Sequence, residues 1–146
     1  MVIGIFGESC VGKTTLAEKI SKVMNARIYS GKDYLRLAKN EKMAQKMFAD
    51  LLLEAVDGDS IIYVISEKEH LKLLPDGAIR ILVTADLELI KERFAARTQG
   101  KLPAPIEKML ELKHGCFDKE KYDIHINNQE DDKCDIVSQI MAIAQK

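Results

Sequence analysis

One stretch, Gly7-Glu8-Ser9-Cys10-Val11-Gly12-Lys13-Thr14, constrains this chain more than any other part of it. A G-x-x-x-x-G-K-[ST] run carries meaning when it leaves a strand and opens a helix, and the sequence supplies both neighbours. Val2 to Phe6 is short, apolar and rich in β-branched and aromatic residues, the pattern of a buried strand. From Lys13 to about Met24, the residues Leu16, Ala17, Ile20, Val23 and Met24 fall on one helical stripe. Glycines let the backbone between them curl until successive N–H groups face an anion. The helix N-terminus adds the positive end of its dipole. Lys13 can reach β- and γ-phosphates as a point charge. The Thr14 hydroxyl can ligate Mg2+, whose other positions go to water and phosphate oxygens. The sequence therefore predicts a nucleoside triphosphate, MgATP, held by Gly7, Glu8, Ser9, Cys10, Val11, Gly12, Lys13, Thr14 and Thr15. Cys10 reads as a small filler of a variable loop position.

The rest of the chain alternates in the same way. Ala26 to Tyr29 reads as a second strand and Ser30-Gly31-Lys32-Asp33 as a turn. One or two helices follow from Tyr34 to about Val56, with a core stripe of Ala44, Met47, Phe48, Leu51, Leu52 and Ala55. Ile61 to Ile65 is apolar throughout and predicts a central parallel strand. A fourth strand spans Ile79 to Val83; Thr84-Ala85-Asp86 then caps a helix to about Arg97. Ile106 to Lys113 reads as a short helix closing at His114-Gly115, and Tyr122 to Ile126 as the last strand. A final helix starts near Lys133 and turns Ile136, Val137, Ile140, Ile143 and Ala144 inward. This order predicts one domain over residues 1–146, an α/β sandwich around a mainly parallel five-stranded sheet. Ligands of such sheets sit at the carboxyl ends of the strands, here near Gly7, Ser30, Ser66, Thr84 and Asn127.

Composition narrows the partners. With 22 basic and 23 acidic residues, the net charge of −1 offers no basic face for nucleic acid or anionic lipid. No run approaches the ~18 apolar residues of a membrane span. Three cysteines without close spacing suit a reducing compartment, so a cytoplasmic location is expected. His114, Cys116, His125 and Cys134 lack the paired spacing of a zinc site. The oligomeric state is left open.

Three observations separate the phosphate-loop classes. Asn127-Asn128-Gln129-Glu130 lacks the lysine and aspartate of a guanine-reading Asn-Lys-x-Asp. The third strand runs into Ser66-Glu67 and not into paired acids. Arg93 and Arg97 stand four residues apart on one helix face, where they can clamp a triphosphate and the phosphoryl group in transfer.

On these residues the chain resembles the small phosphotransferases of the adenylate kinase and shikimate kinase group. Gly7 to Thr15 is similar to their phosphate loop, and Ser30-Gly-Lys-Asp-Tyr-Leu-Arg36 to the Thr-Gly-Asp-x-x-Arg segment of adenylate kinases. The resemblance implies that Arg36 holds an acceptor phosphate with Asp33 beside it, and that Arg93 and Arg97 contact ATP. It implies further a short lid over residues 98–105, a loop at Asn127 and Asn128 near the adenine, and strand order 2-3-1-4-5. The chain departs from both families in lacking Asp-Gly-x-Pro-Arg after the third strand and the Gly-Gly-Gly run of shikimate kinases. Its acceptor segment, about residues 30–57, is reduced.

The expected activity is transfer of the ATP γ-phosphoryl group to a small molecule, either a nucleoside monophosphate or a small alcohol. A phosphate acceptor is already ionised and needs no base, whereas an alcohol needs a carboxylate to take its proton. Asp33 and Glu67 are the candidates for that role, with a turn residue and a solvated loop residue as the ordinary alternatives. His70, His114 and His125 read as structural or exposed. The competing expectation is an ATP-binding regulatory module without efficient transfer.

Overall fold

Two strands, β1 (Val2–Phe6) and β3 (Ile61–Ile65), are buried at every position. They occupy the middle of the sheet, with apolar layers on both faces. The computed structural model describes residues 1–127 and 136–144. Beside the central pair lie β2 (Arg27–Ser30), β4 (Ile79–Thr84) and β5 (Ile124–Asn127) in the order β2-β3-β1-β4-β5. All pairings are parallel, with Ile3 opposite Ile62 and Ile79, and Leu82 opposite His125. The sheet matches the predicted class and strand order.

Successive strand side chains point to opposite faces, and the two faces build two cores. Ile3, Ile5, Ile62, Val64, Ile81 and Val83 pack beneath α1 (Lys13–Met24), α3 (Leu87–Arg97), α4 (Ala104–Lys113) and α5 (Ile136–Ala144). Val2, Phe6, Tyr63, Ile65 and Leu82 meet α2 (Glu41–Ala55), the 3-10 turns Asp33–Leu37 and Lys68–Leu73, and Phe117. Phe48 anchors the second core, its ring 4.8 Å from Tyr63 edge-on and 5.8 Å from Tyr34 in a stack.

Several boundaries differ from the sequence reading. The second strand starts one residue later, at Arg27. Helix α4 begins at Ala104, two residues early, because Pro105 occupies the first turn, where its missing N–H costs no bond. The link between α3 and α4 is therefore residues 98–103, shorter than the expected lid. The last strand starts at Ile124. Two stripes are narrower than expected. In α2 the buried line is Ala44, Phe48, Leu52 and Ala55, whereas Met47 is 45% exposed. In α1 Val23 is 66% exposed, since Lys13, Ala17 and Ile20 already fill the inward line. Asn128 and Lys133 lie outside the described residues. No described helix is long and apolar enough to cross a membrane.

Candidate active site

Strand β1 delivers the chain into a tight loop at the centre of the sheet's carboxyl edge. Gly7 leaves no room for a side chain: a Cβ there would lie 2.3 Å from the Val83 carbonyl oxygen on β4. Cys10 and Gly12 adopt left-handed backbone, at φ 65° and 98°. For Cys10 that conformation is uncommon. It is held by Arg93, whose Nη1 donates to the Cys10 carbonyl at 3.2 Å. Arg93 reaches the loop because Asp86, at the carboxyl end of β4, starts α3 across from α1.

Lys13 opens α1 and is folded back over the loop. Its ammonium donates to the carbonyls of Gly7 at 2.7 Å and Glu8 at 2.5 Å, and the residue is 5% exposed. Burial pulls its pKa down to about 8; Arg97 adds to that effect, and Cys10 and Glu8 oppose it. This cation is poorly solvated and ready for an anionic partner.

Two cavities flank the loop. One, of about 360 Å³, lies between Gly12, Thr15, Leu16, Val83, Arg93 and Ile126. The other, of about 310 Å³, is bordered by Ser9, Lys13, Thr14, Ser30, Ser66 and Arg97. Both volumes fall in the range of small-molecule sites, about 300–1,000 Å³. Arg97 borders both. Thr14 is exposed at the second. A threonine hydroxyl is a suitable hard ligand for Mg2+ alongside phosphate oxygens and water. Among the described residues no three His, Cys, Asp or Glu side chains converge as a metal cage.

The acceptor residues expected from the sequence lie past the carboxyl ends of β2 and β3. The Asp33 carboxylate accepts the Ser30 backbone N–H at 2.8 Å, closing the turn after β2. Arg36 is exposed, its Nε donating to the Asp33 carbonyl at 3.3 Å. Tyr63 locks the same turn by donating to the Gly31 carbonyl at 2.6 Å, and burial raises its phenol pKa. Glu67 is exposed just past β3. None of Asp33, Arg36 and Glu67 borders either cavity. Asn127 ends β5 and borders a third cavity, on the Glu8 side of the loop.

Sequence reasoning treated the histidines as bystanders. His70 is 3% exposed with both ring nitrogens lacking hydrogen-bond partners, beside the rings of Tyr34 and Tyr63. His125 meets Thr84 Oγ1 through Nε2 at 2.8 Å. His114 contacts the phosphate loop itself: its Nδ1 lies 3.0 Å from Glu8 Oε1, while Glu8 Oε2 accepts the Gly115 N–H at 3.0 Å. A gap of more than a hundred residues separates these partners, so spacing could not reveal the pair. A glutamate inside the phosphate loop was the available signal.

No family model and no curated protein matches the chain. Solved structures do. The YorR protein of Bacillus subtilis, solved in complex with phosphorylated GDP, is 22% identical over 99% of this chain and 96% of its own, with a TM-score of 0.64. A gluconokinase from Sinorhizobium meliloti 1021 is 14% identical, covering 99% and 91%, with a TM-score of 0.62. A shikimate kinase from Bacteroides thetaiotaomicron is 14% identical, covering 99% and 96%, with a TM-score of 0.58. The chain has their fold. At these identities the likeness speaks for architecture, and the chemistry must be argued from this chain's own residues.

Proposed function

We propose that the protein is an ATP-dependent phosphotransferase that moves the γ-phosphoryl group to a small molecule. The observation that carries the reading is the convergence of Lys13 and Arg93 on one loop from separate elements, with Arg97 on the rim of both cavities. A loop that served only as a turn would not gather three cations. The kinase names among the structural neighbours support the same reading.

Backbone N–H groups from Gly7 to Lys13 and the α1 N-terminus cradle the phosphates. Lys13 leaves its carbonyl partners for the β- and γ-phosphates. Arg93 and Arg97 neutralise charge that spreads over the phosphoryl oxygens. Thr14 would hold Mg2+, which would supply charge neutralisation for the phosphates when bound. The apolar walls Leu16, Val83 and Ile126 give the adenine a place beside Arg93.

The test is ADP release from MgATP with a panel of acceptors, in wild type, Lys13→Ala and Arg93→Ala. Acceleration by one acceptor class, lost by about a hundredfold or more in each variant, is the expected result. A second reading, a nucleotide-responsive regulatory module, draws on the absence of Asp33, Arg36 and Glu67 from the cavities. It predicts tight MgATP binding with no acceptor that speeds ADP release.

A further inference from the structure

The third cavity lies on the other side of Glu8. It holds about 330 Å³ and is walled by Glu8, Thr84, Asp86, His114, Tyr122 and His125, among others. It begins at the phosphate loop, since the Glu8 carbonyl holds the Lys13 ammonium at 2.5 Å while the Glu8 side chain faces His114. Among the described residues lining it there is no lysine or arginine. A phosphate or carboxylate placed there would meet Asp86 and Asp118 with no fixed cation to offset them. A molecule bearing hydroxyl groups suits it better: Tyr122 and His125, with ring centroids 5.5 Å apart and planes tilted by 52°, supply an angled aromatic wall, and the carboxylates accept hydrogen bonds.

The Glu8–His114 pair borders this cavity. The Glu8 side chain is 10% exposed and that of His114 38%. An ionised carboxylate only accepts, so Nδ1 carries the hydrogen of the His114–Glu8 bond. In the neutral imidazole Nε2 then keeps its lone pair, and it has no hydrogen-bond partner among the described residues. Gly115, at φ 79°, fixes the turn at the end of α4 by donating its N–H to the same carboxylate. A carboxylate that orients an imidazole and settles its tautomer is a known way to make histidine a proton acceptor.

We propose that the acceptor is an uncharged, hydroxyl-bearing molecule bound in this cavity, and that His114, positioned by Glu8, takes the proton of its attacking hydroxyl. The inference rests on the phosphotransferase reading and sharpens it. In the step, the acceptor oxygen forms a bond to the γ-phosphorus as the bond from that phosphorus to the β,γ-bridging oxygen breaks. The hydroxyl proton passes to His114 Nε2, and ADP leaves with the electron pair of the broken bond. Asp33, its carboxylate engaged by Ser30, and the exposed Glu67 are not needed.

The experiment measures ADP release from MgATP with uncharged polyols, sugars and nucleosides on one side, and nucleoside monophosphates and sugar acids on the other. Wild type, His114→Ala, Glu8→Gln and Asp86→Asn are compared, with folding checked by circular dichroism. The expected result is acceleration by an uncharged acceptor and a kcat at least a hundredfold lower in His114→Ala, partly restored by added imidazole. In Glu8→Gln kcat falls at least tenfold while KM for ATP stays within about twofold. Preference for a charged acceptor overturns the inference and leaves the phosphotransferase reading standing. So does a folded His114→Ala enzyme within twofold of wild type, or one that imidazole does not restore, or a loss of kcat confined to Asp86→Asn. Should His114→Ala fail to fold, Glu8→Gln decides: a raised KM for ATP at unchanged kcat overturns the positioning role. If ATP binds and no acceptor of either kind accelerates its loss, both readings fall.

Discussion

Lys13 shows how much of a site one residue can reveal. The motif placed it, and the structure adds its condition: buried, bonded to two carbonyls and lowered to a pKa of about 8. Below that pH Lys13 of the free protein already carries the positive charge that the proposed phosphate contact uses. Above it, binding must take up a proton, so MgATP affinity is expected to fall by up to tenfold per unit as pH rises past 8. Calorimetry at pH 7 and pH 9, in buffers of different ionisation enthalpy, would show proton uptake on binding only at the higher pH. Stability has the opposite slope. The folded pKa lies below the ordinary lysine value of 10.5, so between pH 8 and 10.5 the unfolded chain binds more protons and the fold gains stability with pH. Lys13→Met should lack that gain in parallel denaturant titrations. Gly7 is equally decided at the residue scale. Its missing Cβ would strike a backbone oxygen that no rotamer can move, so Gly7→Ala should cost about 3 kcal/mol in urea unfolding. Glu8 and His114 mark the limit of this scale, since only the closed fold brings them together.

Elements were legible where periodicity had one reading. The continuous apolar runs of β1 and β3 admit a strand buried on both faces, and both are. Stripe width was not legible. Met47 and Val23 satisfy a helical period, yet they fall outside the arc that the sheet covers. Around Pro103 and Pro105 the sequence signalled a break, and the structure starts a helix there because proline fits the first turn. Helices α3 and α4 are joined by Lys91, which reaches Glu107 at 3.2 Å and Glu111 at 2.8 Å. On the other face α2 hangs on Phe48, which is fully buried against three aromatic rings. Phe48→Ala should lower unfolding stability by about 3–5 kcal/mol. A loss under 1 kcal/mol would mean that the aromatic cluster collapses to refill the space.

For the whole molecule, alternation of strand and helix was enough to predict a mainly parallel five-stranded sheet, whereas its strand order followed only from the resemblance to the small phosphotransferases, and the structure has that order. The acceptor end was not legible. The turn after β2 resembles an acceptor motif in sequence, but in the fold its carboxylate closes a backbone turn and its arginine faces solvent. Short polar side chains serve caps and catalytic roles with equal ease, and only their partners tell the two apart. What the assembled molecule presents is a phosphate loop with three cations and cavities on both sides. The most direct measurement follows the γ-phosphoryl group of MgATP by phosphorus NMR in the presence of the acceptor panel. The account predicts a new phosphomonoester signal that grows as ATP is lost and is absent with Lys13→Ala. Phosphorus appearing only as inorganic phosphate, at the same rate with and without acceptors, would contradict it.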